Sequence, residues 1–136
     1  MDVRIKRIAE ADMALARELS ELYRLAGWSD GADGRDGQSL DILRNSFCCF
    51  GAFDSGRLVG FFRALSDGVS DAYLLDMFVR PEYRGRGIAG GLCRAVLACL
   101  KESGVEYITC ISTPEGLGVY KPLSDVMHSH TPLKFR

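Results

Sequence analysis

The sequence predicts an α/β fold of the mixed α+β kind: a mixed, mostly antiparallel sheet flanked by helices, with a central β-strand–helix–β-strand unit. Three observations support this prediction. The length of 136 residues suits a single domain, here residues 1–136. Short apolar strand patterns alternate with helical patterns along the chain. A glycine-rich loop joins a strand to a helix that another strand follows, as in a right-handed crossover between parallel strands.

Composition excludes several classes of protein. Hydrophobic residues make up 47% of the chain and charged residues 26%, so we expect a globular protein rather than a disordered one. The 17 basic and 18 acidic residues give a net charge of −1, which argues against a nucleic-acid partner. No apolar run approaches the roughly 20 residues of a membrane span, so no membrane partner is expected.

The amino terminus and the cysteines together predict a cytoplasmic protein. Residues 1–7 alternate charged and apolar residues and lack the apolar core of a signal peptide. The five cysteines have no metal-ligand spacing, and their odd number indicates buried thiols in a reducing compartment. His128 and His130 have no third ligand nearby, so we interpret them as surface polar residues and predict no metal.

The first elements are predicted to be a strand and two helices. Residues 3–8 place apolar residues among charged ones, which indicates a short strand. Apolar residues at helical spacing predict a helix over residues 12–26, and Gly27 follows its end. Ser39 is a candidate cap for a short helix that ends at residue 45.

Three strands are predicted in the middle of the chain. Residues 47–53 and 58–65 are apolar runs on either side of a turn, which predicts a β-hairpin. Residues 72–79 are almost entirely apolar, as expected for a strand that is covered on both faces. Asp76 is the one charged residue of that strand.

The remaining elements follow a loop of arginines and glycines. A helix is predicted over residues 88–103 and a strand over 105–112. Thr113 caps a short final helix that Pro122 ends. Residues 131–136 are a candidate strand at the edge of the sheet.

The loop over residues 84–91 is predicted to bind a phosphate group. Glycines let a ligand approach the backbone closely, and the first turn of the following helix presents unpaired N–H groups. Arg80, Arg84 and Arg86 add positive charge around this loop. The alternative is that the glycines only allow the helix to pack tightly on the sheet.

A dinucleotide-binding domain is the main rival interpretation of this loop. Gly85, Gly87 and Gly90 match the pattern G-x-G-x-x-G. In the dinucleotide fold, however, the first glycine directly follows the strand, whereas residues 80–84 intervene here. Glu106 begins the next strand, although the ribose-binding acid should end it.

Residues 75–89, Leu-Asp-Met-Phe-Val-Arg-Pro-Glu-Tyr-Arg-Gly-Arg-Gly-Ile-Ala, resemble the acyl-coenzyme A signature of the GNAT N-acetyltransferases. That signature is an apolar strand, then Val-x-Pro, then Arg/Gln-x-x-Gly-x-Gly/Ala, and its last part is matched by Arg84, Gly87 and Ala89. The resemblance implies a GNAT-like domain that uses acetyl-coenzyme A as co-substrate. It also implies acetyl transfer to a primary amine of a small molecule or peptide, by direct attack in a ternary complex.

The resemblance further implies which residues bind the co-substrate. The main chain of Met77, Phe78 and Val79 would bind the pantetheine arm and polarise the thioester carbonyl. The pyrophosphate would be bound by the amides of the loop, namely Arg84, Gly85, Arg86, Gly87, Ile88 and Ala89.

Two residues are candidates for proton transfer. Tyr120 occupies the place where similar enzymes have a Tyr that protonates the leaving thiolate; the alternative is an aromatic anchor for a weak helix. Asp76 is a candidate base for the amine, because burial would favour proton uptake. Alternatively Asp76 faces a structural Arg or orients the substrate, and solvent deprotonates the amine. Trp28, Asp30 and Asp33 lie in a loop that covers the acceptor in similar proteins, where an aromatic and acids would suit a cationic amine. The alternative is a solvated loop that one Trp anchors.

Departures from the family pattern keep other functions open. Ser112 and Thr113 stand where many relatives carry an Asn that contacts the pantetheine arm. A non-catalytic module that senses acyl-coenzyme A is therefore one alternative, and a nucleotide-binding domain is a second. The sequence does not set the oligomeric state, and a homodimer is one arrangement that it allows.

Overall fold

The computed structural model of the protein describes residues 2–29 and 35–136. Within these residues, five strands form one sheet in the order β1-β2-β3-β4-β5. The strands are β1 (Val3–Arg7), β2 (Cys48–Asp54), β3 (Arg57–Ser66), β4 (Asp71–Val79) and β5 (Tyr107–Cys110). The helices are α1 (Met13–Leu25), α2 (Arg35–Asn45), α3 (Ile88–Glu102) and α4 (Leu117–Tyr120), with 3-10 turns at Pro81–Tyr83, Pro114–Gly116 and Lys121–Leu123.

The sheet is mixed and mostly antiparallel. Each of β1, β2 and β3 pairs antiparallel with the next strand in the order, whereas β5 pairs parallel to β4. α3 connects β4 to β5 and completes the predicted β-strand–helix–β-strand unit. The turn of the predicted hairpin between β2 and β3 places Ser55 and Gly56 at positive φ. The predicted fold class is confirmed.

Two helical layers cover the sheet, one on each face. α1 and α2 pack on one face and bury a cluster that includes Leu19, Leu22 and Phe61. α3 packs on the other face and buries a larger cluster that includes Phe62, Leu92 and Val96. Neighbouring residues of a strand point to opposite faces, which is why Phe61 and Phe62 belong to different clusters.

The two helices on the first face differ in how well the sequence predicted them. α1 begins as expected, since the Asp12 carboxylate accepts a hydrogen bond from the Leu15 amide at 2.9 Å. α2 begins at Arg35, so the prediction that Ser39 caps it is wrong. Ser39 is instead buried inside the helix, where its hydroxyl lies 2.7 Å from that of Ser20. The Ser39 hydroxyl is therefore hydrogen-bonded to α1 and does not cap α2.

The carboxy-terminal part of the chain departs from one prediction. Thr113 caps the turn Pro114–Gly116 as expected, by accepting from the Gly116 amide at 3.3 Å. The predicted strand over residues 131–136 is wrong, because residues 124–136 contain no strand and their side chains are exposed. Pro122 lies within a 3-10 turn directly after α4, so helical backbone extends one residue past it.

Candidate active site

β4 and β5 separate part-way along their length. Their pairing runs from Asp71 and Tyr107 to Leu74 and Cys110, and β5 ends there. β4 continues over residues 75–79 with β3 on one side only. This segment therefore borders a cleft between the two strands, and its outward backbone groups have no β5 partner.

The backbone of β4 presents particular polar groups to this cleft. The Arg80 amide donates to the Val59 carbonyl of β3 at 2.8 Å. Because backbone groups alternate along an antiparallel pair, the Phe78 amide and carbonyl also face β3. The Val79 N–H and the Met77 carbonyl consequently face the cleft. This orientation is the one required if the main chain of these two residues is to bind an extended ligand. The main chain of Phe78 faces β3 instead, and its ring lies 6.1 Å from the Trp28 ring.

A bulge in β4 turns Asp76 out of the regular strand. The register between β3 and β4 shifts between Phe61 and Arg63, and Asp76 has a φ of 64°. Left-handed backbone is unfavourable for any residue with a Cβ atom and is enriched at functional sites. The bulge lies on the part of β4 that borders the cleft.

The carboxylate of Asp76 is paired, although it is isolated in the sequence. Arg63 Nε donates to Asp76 Oδ2 at 2.7 Å, and the Tyr23 hydroxyl donates to the same oxygen at 2.8 Å. The side chains of Arg63 and Asp76 are 13% and 23% exposed. Burial, followed by the charge of Asp76, raises the pKa of Tyr23, so Tyr23 stays a donor. The alternative that Asp76 faces an Arg of the fold is thus confirmed, although the sequence analysis named neither Arg63 nor Tyr23 as the partner.

Asp76 lines a pocket of about 190 Å³. This pocket lies between α1, α2 and β4, and we call it the α1–α2 pocket. Its wall includes Trp28, whose ring lies 5.7 Å from the Tyr23 ring and 6.1 Å from the Phe78 ring. Asp30 and Asp33, which the sequence analysis grouped with Trp28, lie outside the described residues. The other described residues that line the pocket are Ser20, Ser29, Arg35, Gln38, Ser39 and Ile42.

The glycines of the loop before α3 are required by backbone conformation. Gly85 and Gly87 have φ values of 77° and 78°, and an added Cβ atom at either would meet nothing within 4 Å. At Gly91, by contrast, a Cβ atom would lie 2.5 Å from Ile5 Cδ1. Tight packing of the helix therefore explains Gly91 but not Gly85 or Gly87, whose left-handed backbone shapes the loop.

The loop presents free amides at the start of α3. The first bond of the regular helical ladder joins the Gly91 amide to the Gly87 carbonyl at 3.0 Å. The amides of Ile88, Ala89 and Gly90 accordingly have no acceptor within the helix. These amides and the partial positive charge of a 15-residue helix form a site suited to an anion.

The three arginines near the loop differ in exposure and in their partners. Arg80 is buried, and its Nε donates to the Leu58 carbonyl at 3.1 Å. Arg84 Nε donates to the Val79 carbonyl at 2.9 Å, and its guanidinium lies 5.2 Å from the Phe78 ring. Arg86 is exposed beside the helix start, where it lines a second pocket with Gly87.

Tyr120 lies on the opposite face of the sheet from Asp76. Its ring stacks on Phe62 at 6.0 Å, against the cluster that α3 covers. Burial, with smaller contributions from Cys110 and Cys93, raises the pKa of Tyr120, so its hydroxyl stays protonated at neutral pH. No hydrogen bond within the described part of the chain engages this hydroxyl.

Metal sites and membrane-spanning helices are absent from residues 2–29 and 35–136. These residues contain no group of three or more His, Cys, Asp or Glu side chains arranged to bind a metal ion. No helix among them is long and apolar enough to span a membrane. The five cysteines are free thiols, four of them buried, as the sequence predicted.

Comparison with known protein families identifies the family of this chain. The family model described as the acetyltransferase (GNAT) family matches residues 13–121. The protein belongs to the GNAT acetyltransferase family. The resemblance stated from residues 75–89 is thus confirmed, and acetyl-coenzyme A is the co-substrate of this family.

Curated relatives of this GNAT protein carry N-acetyltransferase names. A ycf52-like protein of Prochlorococcus marinus, an uncharacterized N-acetyltransferase, is 32% identical over 108 residues, which cover 76% of this chain and 58% of the relative. A chloroplastic protein of Oryza sativa, serotonin N-acetyltransferase 2, is 34% identical over 73 residues, which cover 54% and 36%. The chain therefore matches only part of each relative.

Solved structures share the GNAT fold at low sequence identity. A probable acetyltransferase of Staphylococcus aureus superposes with a TM-score of 0.78 at 17% identity, over 99% of both chains. A predicted acetyltransferase of Clostridium acetobutylicum, solved with acetyl-coenzyme A, gives a TM-score of 0.73 at 16% identity, over 98% of this chain and 96% of that one.

Proposed function

We propose that this GNAT protein is an acyltransferase that moves the acetyl group of acetyl-coenzyme A to a primary amine of a small molecule or peptide, by direct attack in a ternary complex. One observation carries the proposal: the cleft where β4 continues beyond β5 adjoins the free amides at the start of α3. Coenzyme A has a part that suits each of them: an extended pantetheine arm for the cleft and an anionic pyrophosphate for the helix start.

The residues present fit acetyl-coenzyme A. Added Cβ atoms at Gly85 and Gly87 would meet nothing within 4 Å, and the amides of Ile88, Ala89 and Gly90 have no acceptor within α3. Along the cleft, the Val79 N–H and the Met77 carbonyl match the donors and acceptors of the amide groups in a pantetheine arm. The bound thioester supplies the activated acetyl group. Pyrophosphate binding is assigned to the main chain of residues 85–89. The predicted Arg84 amide is left out, because it donates to the Pro81 carbonyl at 3.2 Å, while the Arg84 side chain donates to the Val79 carbonyl.

The two candidates for proton transfer lie on opposite faces of the sheet. Asp76 and the α1–α2 pocket lie on one face, where the acceptor amine binds and Asp76 takes up its proton. Tyr120 lies on the other face, where its protonated hydroxyl donates to the departing thiolate. Entry of the amine on one face and departure of the thiol on the other suit direct transfer without a covalent enzyme intermediate. No residue in this scheme calls for a metal.

The proposal also covers the domain organisation and the cellular location of the protein. Residues 1–136 are taken as one catalytic domain in the cytoplasm, where a reducing environment keeps the five thiols free. The names of the curated relatives support an amine as acceptor, although each relative is matched over only part of its length. A homodimer stays a prediction.

Binding and turnover measured together test this proposal. Calorimetry with acetyl-coenzyme A and with NAD should show binding of the former only, and release of free thiol should occur when an amine is added. Tight binding of NAD would favour a nucleotide-binding domain. Binding of acetyl-coenzyme A without thiol release for any amine in a broad panel would favour a sensing module.

A further inference from the structure

The geometry points to the acceptor class of the α1–α2 pocket: a compact primary monoamine with an apolar body, whose ammonium group binds between the Asp76 carboxylate and the Trp28 ring. This inference rests on the proposed function, because it assigns the acceptor of that site. Three features of the pocket carry it: a carboxylate with one oxygen that no described residue engages, an exposed aromatic wall, and a small volume with one acid among the described residues that line it.

The Asp76 carboxylate is held by the described residues through one of its two oxygens. Arg63 and Tyr23 both donate to Oδ2, and no described group donates to Oδ1. Arg63 is itself fixed by a 3.3 Å hydrogen bond to Ser46, whose hydroxyl donates to the Ile42 carbonyl of α2. A carboxylate positioned this firmly provides a directed acceptor for one ammonium group.

Trp28 provides the aromatic surface beside this carboxylate. The residue is 51% exposed, although its ring contacts Tyr23 on one side and Phe78 on another. The Tyr23 and Phe78 rings pack against the Trp28 ring, while about half of the Trp28 surface stays exposed. Its free surface suits the carbon atoms next to an ammonium group, through cation–π attraction and apolar contact.

The size and charge of the pocket limit the acceptor. Drug-sized ligands occupy cavities of about 300–1,000 Å³, and the α1–α2 pocket measures about 190 Å³. Among the described residues that line it, Asp76 is the one acid, and the guanidinium of Arg35 donates to Gln38. A second or third ammonium group on the acceptor would find no further carboxylate among these residues.

Calorimetry on the protein saturated with coenzyme A tests the inference by direct binding. Phenethylamine and isoamylamine represent the predicted class, and spermidine, kanamycin and a trialanine peptide represent the others. We expect Asp76→Asn to weaken binding of phenethylamine about 30-fold and Trp28→Ala to weaken it about threefold to 30-fold. Trp28→Phe should restore most of the affinity. The matched controls Asp41→Asn and Phe135→Ala, at exposed positions outside the pocket, should leave it unchanged.

The outcomes separate the inference from the proposed function. Preferential binding of the two monoamines, lost in Asp76→Asn, supports the inference even if no acetyl group is transferred. Tighter binding of spermidine, kanamycin or the peptide overturns it, and so does binding of the monoamines that Asp76→Asn leaves unchanged. The proposed function fails separately, if acetyl-coenzyme A binds and no amine of the panel releases thiol.

Discussion

Arg63 Nε and Asp76 Oδ2 lie 2.7 Å apart and join the middle of β3 to the bulge of β4. Each is a lone charge within an apolar stretch of its strand. The pair connects the fold to the candidate site, because the arginine belongs to the sheet and the carboxylate lines the α1–α2 pocket. Removing either partner should therefore affect both stability and acceptor binding.

Arg63→Met should lower the free energy of unfolding by about 1–3 kcal/mol, because it leaves a largely buried carboxylate with one donor fewer. Urea denaturation measures this change. The exposed Arg44→Met variant, on α2, should change stability by less than about 0.5 kcal/mol. In a double-mutant cycle, Arg63→Met should cost much less in an Asp76→Asn background. Equal costs in the two backgrounds would mean that the pair does not contribute as a unit.

Gly87→Ala should destabilise the fold by about 1–2 kcal/mol, because its φ of 78° is left-handed. The same change should weaken acetyl-coenzyme A binding, since it disturbs the amides that begin α3. Gly37→Ala is the matched control, because Gly37 lies in α2 with open space at its Cβ position. That control should stabilise the protein by about 0.5–1 kcal/mol and leave co-substrate binding unchanged. Calorimetry measures the affinity for acetyl-coenzyme A, and thermal unfolding measures the change in stability.

Tyr120→Phe should reduce turnover about 100-fold while sparing affinity for acetyl-coenzyme A, because it removes a proton donor and keeps the ring. The raised pKa of Tyr120 keeps its hydroxyl protonated above the usual range of a tyrosine. The ratio of wild-type to variant turnover should consequently stay constant from neutral pH to about pH 10. Equal turnover of the two proteins across that range would assign Tyr120 a packing role only.

Asp67 should contribute to the pH dependence of stability. Backbone amides of Ser70 and Val69 lower its pKa from 3.8 to about 2 in the folded protein. Because the folded pKa lies below the unfolded one, the contribution is present above about pH 4 and is lost as the pH falls towards 2. Asp67→Asn should flatten the fall in stability over this window, as measured by urea denaturation at several pH values. An unchanged slope would contradict this assignment.

The loop before α3 was predictable because its signal is local. Left-handed glycines and a helix start are adjacent in the sequence, so the pattern at Gly85 and Gly87 needs no knowledge of distant contacts. The same holds for the cap at Thr113, whose acceptor and donor are three residues apart.

The partners of Asp76 were not predictable in the same way. Arg63 and Tyr23 are 13 and 53 residues away, and the bulge that directs the carboxylate depends on the register of two strands. A comparison of lone charges on paired strands would have suggested Arg63. The bond from Arg80 to the Leu58 carbonyl of β3 was not predictable for the same reason, because the two residues are 22 positions apart.

The most direct test of the central claim is an amide NMR titration of the protein with acetyl-coenzyme A. The largest shifts are predicted for the Val79 amide, which faces the cleft, and for the amides of residues 85–90. Shifts confined to other elements, with these amides unmoved at saturation, would contradict the assignment of the cleft and the α3 start to the co-substrate.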